Sequence, residues 1–485
     1  MIIPDSNSAS GSYDIDNSLK LEHDNSERLL RNSPVGTTVS VTNATVSYWV
    51  KRTELSLGTM YTWKGVSTWQ NAAITNPSGY SDVLYVAGGN ESYYKLVTNR
   101  VFKDTSAWYH IFIAYDTTQS TASDRIKIYI NGVQETSFAV ENYPSQNRDL
   151  EFLAANGAWV FGWYETAASV APCYLAEAYL FHDQTLAPTD FGEFDTDTGI
   201  WKPIEYTGSF SQYDWYYDFE NSASLGADAS GNGNNITYTY NITSADQATD
   251  TPTNNFCTLR PAFEPKASIT LKEGATVWQN LGNSNSAFQP NTTAIGTFQL
   301  SAGKWYWECT WTGDGDRALI GIVASLADIR QTTDWQEFIW WDGYNGWIGS
   351  SLIATETNPP AFDSINTIGI ALDCDNQRIT FSKDGGWLEA SGNMNGSSPS
   401  DWRWDWTSDS DFLGSVYSNG NVTPMVGVQS DANTVFPIAN INFGGYAATI
   451  RTSGGNSDAN GYGNFAYPVP SGFYALCTKN LAKYG

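Results

Sequence analysis

One strand–turn–strand grammar occurs twice in this chain, about half its length apart. The first copy is I-F-I-A-Y-D at 111–116, a polar stretch, then D-R-I-K-I-Y-I-N-G at 124–132. The second is I-G-I-A-L-D at 368–373, a short turn, then Q-R-I-T-F-S-K-D-G at 377–385. In each, an apolar strand ends on Asp and an alternating strand follows. Ile126, Ile128 and Ile130 fall on one face, and Arg125, Lys127 and Tyr129 on the other. A period of two means one buried face and one wet face. Asn131-Gly132 and Asp384-Gly385 are residue pairs that take the positive φ angles of a tight hairpin turn. Two such units predict an all-β chain of two tandem antiparallel β-sandwiches.

The length of 485 residues accommodates two such domains. Charged residues are 16% of the chain, yet the net charge is -26, so the surface is dominated by Asn, Ser, Thr, Gly and acids. Such a surface is unsuited to nucleic acid, whose phosphates need Lys and Arg clusters, and to anionic membranes. No apolar run reaches membrane-spanning length, and M-I-I-P-D-S-N-S does not read as a signal peptide. The five cysteines show neither metal-ligand spacing nor a disulfide framework; Cys309 and Cys374 fall in strand patterns and read as small core residues, a usage that fits a protein folded in a reducing cytoplasm.

Residues 1–12 read as a polar arm, and strand signals separated by turns then run to about 200. The wording W-Y-H-I-F-I-A-Y-D (108–116), D-R-I-K-I-Y-I-N-G-V (124–133) and A-E-A-Y-L-F-H-D-Q-T-L (176–186) resembles the laminin-G-like, concanavalin-A-like jelly roll, which sets a domain at 13–200. Residues 201–266 are rich in Asn, Asp, Ser, Thr and Tyr and read as a structured connector, because Trp215, Tyr216, Tyr217 and Phe219 need burial. Its wording resembles virion structural proteins of tailed bacteriophages. From 267 to 485, G-K-W-Y-W-E (303–308), I-G-I (320–322), the second hairpin, P-M-V-G-V (424–428) and I-N-F-G (441–444) follow in the order of the SPRY domain, which this segment resembles. Trp305, Trp307, Cys309 and Trp311 are expected on one strand face.

Jelly rolls of this class include glycosidases, which place carboxylates at alternate positions of one strand. The nearest wording, Glu193-Phe-Asp195-Thr-Asp197, lacks the closing Glu and follows the last strand, so it reads as an acidic loop. His110 alternates with core residues and reads as a strand histidine. No familiar hydrolase or phosphate-loop motif is present, and no enzymatic role is expected.

Two aromatic clusters are the candidate ligand-binding residues: Trp340, Trp341, Asp342 and Tyr344 in one, and Trp402, Arg403, Trp404 and Trp406 in the other. Aromatic faces stack on sugar C–H faces while polar neighbours fix hydroxyls; the alternative is that one face of each run fills the core. Asp228, Asn232 and Asn234 are candidate calcium ligands, hard oxygens around glycine turns, with a plain glycine-rich turn as the alternative.

The resemblances imply a non-enzymatic virion protein of a tailed phage, a fibre or adhesion component on the particle exterior that binds a host-surface glycan or protein. Its expected partners are other virion proteins and further copies of itself, without nucleic acid or membrane insertion. A capsid decoration or head-fibre role is the competing reading, and a glycan-degrading enzyme the third.

Overall fold

The two hairpins fold as their alternation dictates. Trp108–Asp116 pairs antiparallel with Ile126–Ile130, and Thr367–Asp373 with Arg378–Lys383. Ile126, Ile128 and Ile130 are buried while Lys127 and Tyr129 are partly exposed. The turns carry positive φ at Asn131 (48°), Gly132 (74°), Asp384 (50°) and Gly385 (80°). Gly132 has a second constraint, since a Cβ there would lie 2.2 Å from the Trp201 indole. The computed structural model describes residues 13–22, 26–32, 41–55, 61–64, 69–75, 79–152, 157–162, 172–261, 269–280, 293–312, 318–324, 338–342, 348–349, 366–402, 404–405, 421–428, 438–445 and 455–485, some of them by backbone alone.

The chain divides into two units, with the boundary between Asn255 and Phe256. In the first unit, one sheet runs Val133–Gln134, Ile126–Ile130, Trp108–Asp116, Asn43–Arg52, Cys173–His182, Ser18–Leu21, Gln247–Ala248. The other runs Phe138–Asn142, Tyr94–Val101, Val83–Gly88, Trp69–Thr75, Tyr61–Lys64, Ala158–Phe161, Arg28–Asn32, Tyr238–Tyr240. Between them lies a core that includes Leu19, Val46, Ile111, Ile113, Leu96, Trp159 and Leu175.

The expected connector, 201–266, is not a separate segment: it is divided at the unit boundary, and 201–255 belongs to the first sandwich. Trp215–Tyr217 pairs with Cys173–His182, Tyr238–Tyr240 with Arg28–Asn32, and Gln247–Ala248 with Ser18–Leu21. The reason is the outer face of the first sheet. Cys173–His182 is buried at all ten positions, so both of its faces need cover. Tyr216 stacks on Tyr179 at 4.2 Å with the rings 4° apart, and Phe210 and Tyr206 pack on Phe181. The acids of this segment neutralise buried lysines. Lys20 pairs with Asp246 at 3.1 Å, and Lys51 donates to Asp250 at 2.7 Å and to Asn255 at 2.6 Å. Asp250 also accepts from the Trp108 indole at 2.9 Å.

In the second unit, Trp305, Trp307, Cys309 and Trp311 all enter one core with Trp278, Ile320, Ile322, Ile370 and Phe381, as their alternation predicts. A sheet containing Lys304–Thr312, Thr367–Asp373, Arg378–Lys383 and Ile438–Asn442 faces one containing Ala294–Gly296, Ala318–Ala324, Phe338–Asp342 and Val422–Val428. The opposite face of Lys304–Thr312 is covered by the C-terminal segment. Tyr306 packs with Phe465, Phe473 and Ala475, and buried Glu308 accepts the backbone N–H groups of Ala466 and Tyr467 at 2.8 and 2.9 Å. All five cysteines are buried and free.

Removing one member of a fully buried ion pair leaves an uncompensated charge in a low dielectric. Asp250→Ala is therefore expected to cost about 3 kcal/mol in urea unfolding of the full chain. A loss below about 0.5 kcal/mol, the scale of an exposed pair, would show that Lys51 does not depend on it.

Candidate functional site

Ser47 and His110 meet on the first sheet in an arrangement that disarms the pair. His110 is fully buried, stacked between Trp49 (4.9 Å) and Trp201 (5.9 Å). The Trp201 indole N–H donates to His110 Nδ1 at 3.0 Å. Nδ1 is thus an acceptor, and the neutral ring carries its proton on Nε2, which lies 2.8 Å from Ser47 Oγ. The ring donates to the serine and cannot withdraw its proton. Burial pushes the imidazole pKa down to about 3, so the ring stays neutral.

The Glu193–Asp195 wording lies on a small hairpin, Gly192–Phe194 paired with Trp201–Pro203. Lys202 bridges both carboxylates, at 3.2 Å to Glu193 and 3.3 Å to Asp195. Asp195 caps its own turn, accepting from the Asp197 and Thr198 backbones and the Thr198 hydroxyl. The Thr198 N–H and hydroxyl bonds hold its pKa down at about 2. A carboxylate fixed in its ionised form is not a proton donor for a leaving sugar.

A different carboxylate stands out, and the sequence reading passed over it. Glu177 sits at a bulge between Ala176 and Tyr179, with φ of 50°, and is 5% exposed. The hydroxyls of Tyr13, Tyr179 and Tyr216 converge on it at 2.8, 2.6 and 2.8 Å. Burial raises its pKa to about 7, against the tyrosine hydrogen bonds that lower it. This arrangement ties Tyr13 and the 215–217 strand to the central strand.

The structure brings Asp228, Asn232 and Asn234 together as a closed turn. Asp228 accepts the N–H groups of Tyr216, Ser230 and Asn234 and the Ser230 hydroxyl, at 2.7–3.0 Å. The side-chain amides of Asn232 and Asn234 both donate to the Asp214 carbonyl, and Asn234 Oδ1 accepts from Arg31 at 2.5 Å. The carboxylate of Asp228 and the side-chain oxygen of Asn234 are thus engaged by the chain's own donors. Among the described residues no group of three or more His, Cys, Asp or Glu side chains is arranged to hold a metal.

Of the two aromatic clusters, the first needs a correction. Trp341 is fully buried on Phe338–Asp342, packed 5.6 Å from Phe381, and belongs to the core. Its strand pairs with Ala318–Ala324 in the middle of a sheet, which puts Trp341 opposite Ile320. Trp340 and Asp342 share that strand but are described by backbone alone, and Tyr344 lies outside the described residues.

In the second cluster, Trp402 is partly exposed. The Arg378 guanidinium lies over its ring at 4.2 Å, and Phe473 stacks near-parallel at 6.0 Å. Asp373 holds that guanidinium through Nε (3.1 Å) and Nη2 (3.0 Å). Burial raises the Asp373 pKa, but bonds from Asn376 and Arg378 outweigh it and keep the carboxylate ionised. Trp404–Asp405 pairs with Arg378–Ile379, which sets the insert beside this stack. The Trp404 side chain, Arg403 and Trp406 lie outside the described residues. Sequence reading missed Arg378 and Phe473: Arg378 stood inside a hairpin motif, and Phe473 is 71 positions from Trp402 by number.

The family model for the concanavalin A-like lectin/glucanase superfamily matches residues 29–170, and that for the SPRY domain matches 304–397. The chain carries a laminin-G-like jelly roll followed by a SPRY domain. Solved structures similar to it include domain 4 of AbnA, an extracellular arabinanase from Geobacillus stearothermophilus in complex with arabinotriose (22% identity, 31% of this chain and 65% of that one, TM-score 0.24). The human HERC1 SPRY domain is similar at 12% identity (38% and 94% covered, TM-score 0.26). A heptameric SAP-like pentraxin from Limulus polyphemus is similar at 15% (36% and 80% covered, TM-score 0.26). The chain thus spans just under two thirds of the arabinanase domain. No curated protein matches it.

Two measurements follow from these sites. Folded Glu177 keeps its proton to about pH 7, while the unfolded chain loses it near 4.5. Its contribution to stability is therefore full below pH 4.5 and is lost as pH rises through 7. Relative to Glu177→Gln, the wild type should lose on the order of 3 kcal/mol between pH 4.5 and 7.5; parallel stability curves would refute this. For the Asp228 turn, EDTA should leave the melting temperature unchanged. A fall of several degrees, restored by calcium, would show a bound ion instead.

Proposed function

We propose that this chain is a non-enzymatic adhesion protein, a fibre or attachment component on the exterior of a tailed-phage particle, binding a glycan or protein of the host surface. The observation that carries the reading is the Trp402 stack. A partly exposed indole, backed by Phe473 and overlaid by an arginine that Asp373 immobilises, is a rigid surface anchor of the kind that dominates binding energy. The jelly-roll family includes lectins, which supports a carbohydrate as the ligand. The phage assignment is supported by the wording of 218–256, which resembles virion structural proteins. The disarmed Ser47–His110 contact and the ionised, lysine-bridged Asp195 support a role without catalysis. Individual contacts are weak, and copy number on a particle multiplies them. Other virion proteins and further copies of this chain are the proposed assembly partners. Calcium has no place in this reading.

The test is saturable binding of the purified full chain to candidate bacterial host cells. Trp402→Ala should weaken it roughly tenfold or more, with Trp402→Phe restoring part of the loss and the fold unchanged by circular dichroism. Binding to capsids and not to cells would favour the decoration reading. Release of reducing sugar from host glycan, abolished by Glu193→Gln or Asp195→Asn, would favour the enzyme.

A further inference from the structure

Tyr238–Tyr240 ends one sheet of the first unit, paired only with Arg28–Asn32 among the described strands. Tyr238 stands opposite Leu30 and Tyr240 opposite Arg28. Leu29 points into the core, so Arg28, Leu30 and both tyrosines share the outer face. Tyr238 is 51% exposed and Tyr240 37%. Their ring centroids lie 6.2 Å apart with planes tilted by 37°. The Arg28 guanidinium sits over Tyr240, 3.8 Å from its centroid, and fixes that ring in place. Asn32, exposed, shares the outer face with the pair, and exposed Thr237 and Asn241 flank it along the chain.

We propose that Tyr238, Tyr240 and Arg28 form a stacking platform for a neutral glycan. Aromatic faces take the C–H faces of pyranose rings, and the polar rim matches hydroxyls. Two rings side by side, mutually tilted, meet successive residues of a twisted linear chain. A proline-rich peptide needs an aromatic-lined groove, whereas these rings stand on the outer face of an edge strand. A polyanion is opposed by the net charge of -26. The strand lies outside the matched 29–170 segment, so the platform is an addition to the family's jelly roll. The proposal deepens the adhesion reading and rests on it for its biological setting, while the stacking chemistry stands on the geometry alone.

The experiment applies the full chain to an array of neutral hexose, pentose and N-acetylhexosamine oligosaccharides, with heparin and a proline-rich peptide as controls. The strongest ligand is then titrated calorimetrically. Tyr238→Ala/Tyr240→Ala should weaken binding at least about tenfold. Tyr238→Phe/Tyr240→Phe should stay within about twofold, because the ring and not the hydroxyl supplies the stack. Arg28→Ala should fall between them. All three changes are at the surface, and unchanged thermal unfolding shows that the fold is kept. Failure of every neutral glycan to bind, binding only of heparin or the peptide, or equal affinity for the alanine variant would each overturn the platform. Host-cell binding separates this from the adhesion reading. Cells that bind wild type and the alanine variant alike sink the platform as the attachment site and leave adhesion standing. A glycan that needs the tyrosines, on a protein that ignores cells, does the reverse.

Discussion

Both units depend on one constraint: their central strands are buried on both faces. Cys173–His182 and Thr367–Asp373 are buried at every position, and Asn43–Arg52 at all but the first. A sandwich buries only the inner face by itself, so a second layer has to come from elsewhere in the chain. Residues 183–255 supply it in the first unit and 455–477 in the second. Several buried polar groups on those outer faces are then matched to the segments that cover them. Lys20 and Lys51 meet Asp246 and Asp250, His110 meets Trp201, Glu177 meets Tyr13 and Tyr216, and Glu308 meets the 466–467 backbone. An unpaired charge at any of these positions would cost several kcal/mol, so the cover is specified by charge as well as by shape.

This has a consequence for where ligands can bind. A sheet face already sheathed by the chain's own residues is closed as a recognition surface. Among the described residues, the Trp402 region beside Arg378–Lys383 and the Tyr238–Tyr240 edge are not sheathed in this way. In both places an arginine is laid over an aromatic ring, Arg378 on Trp402 and Arg28 on Tyr240. Such pairing reduces the side-chain freedom lost on binding, which favours an exposed aromatic as an anchor.

How much of this was legible in the sequence follows from the range of each interaction. Ile126, Ile128 and Ile130, and Trp305, Trp307, Cys309 and Trp311, declared their faces by local alternation, and both hairpin turns by their residue pairs. The burial of Trp215, Tyr216, Tyr217 and Phe219 was legible, but not that the 201–255 segment belongs to the first sandwich. The partners of its acids are remote: Lys51 and Asp250 are 199 positions apart, and no local pattern announces such a pair. Trp341 was misassigned for a different reason. A tryptophan-rich run is equally the signature of a thick core and of a sugar-stacking face, and only sheet position decides between them. Tyr238 and Tyr240 carried the converse signal, a Y-T-Y alternation whose outer face is decided by which neighbour Leu29 buries.

The same logic bears on catalysis. A jelly roll that runs glycosidic chemistry needs carboxylates with separated protonation states, in reach of one bond. In the first unit the buried carboxylate with a raised pKa, Glu177, is consumed by three tyrosine hydroxyls that bind the covering layer. The partly exposed Asp195 is held ionised by its own turn and by Lys202. Glu177 is locked into the fold, and Asp195 is held as the carboxylate. In the first unit, covering the sheet thus engages the very carboxylate, Glu177, whose pKa burial raises.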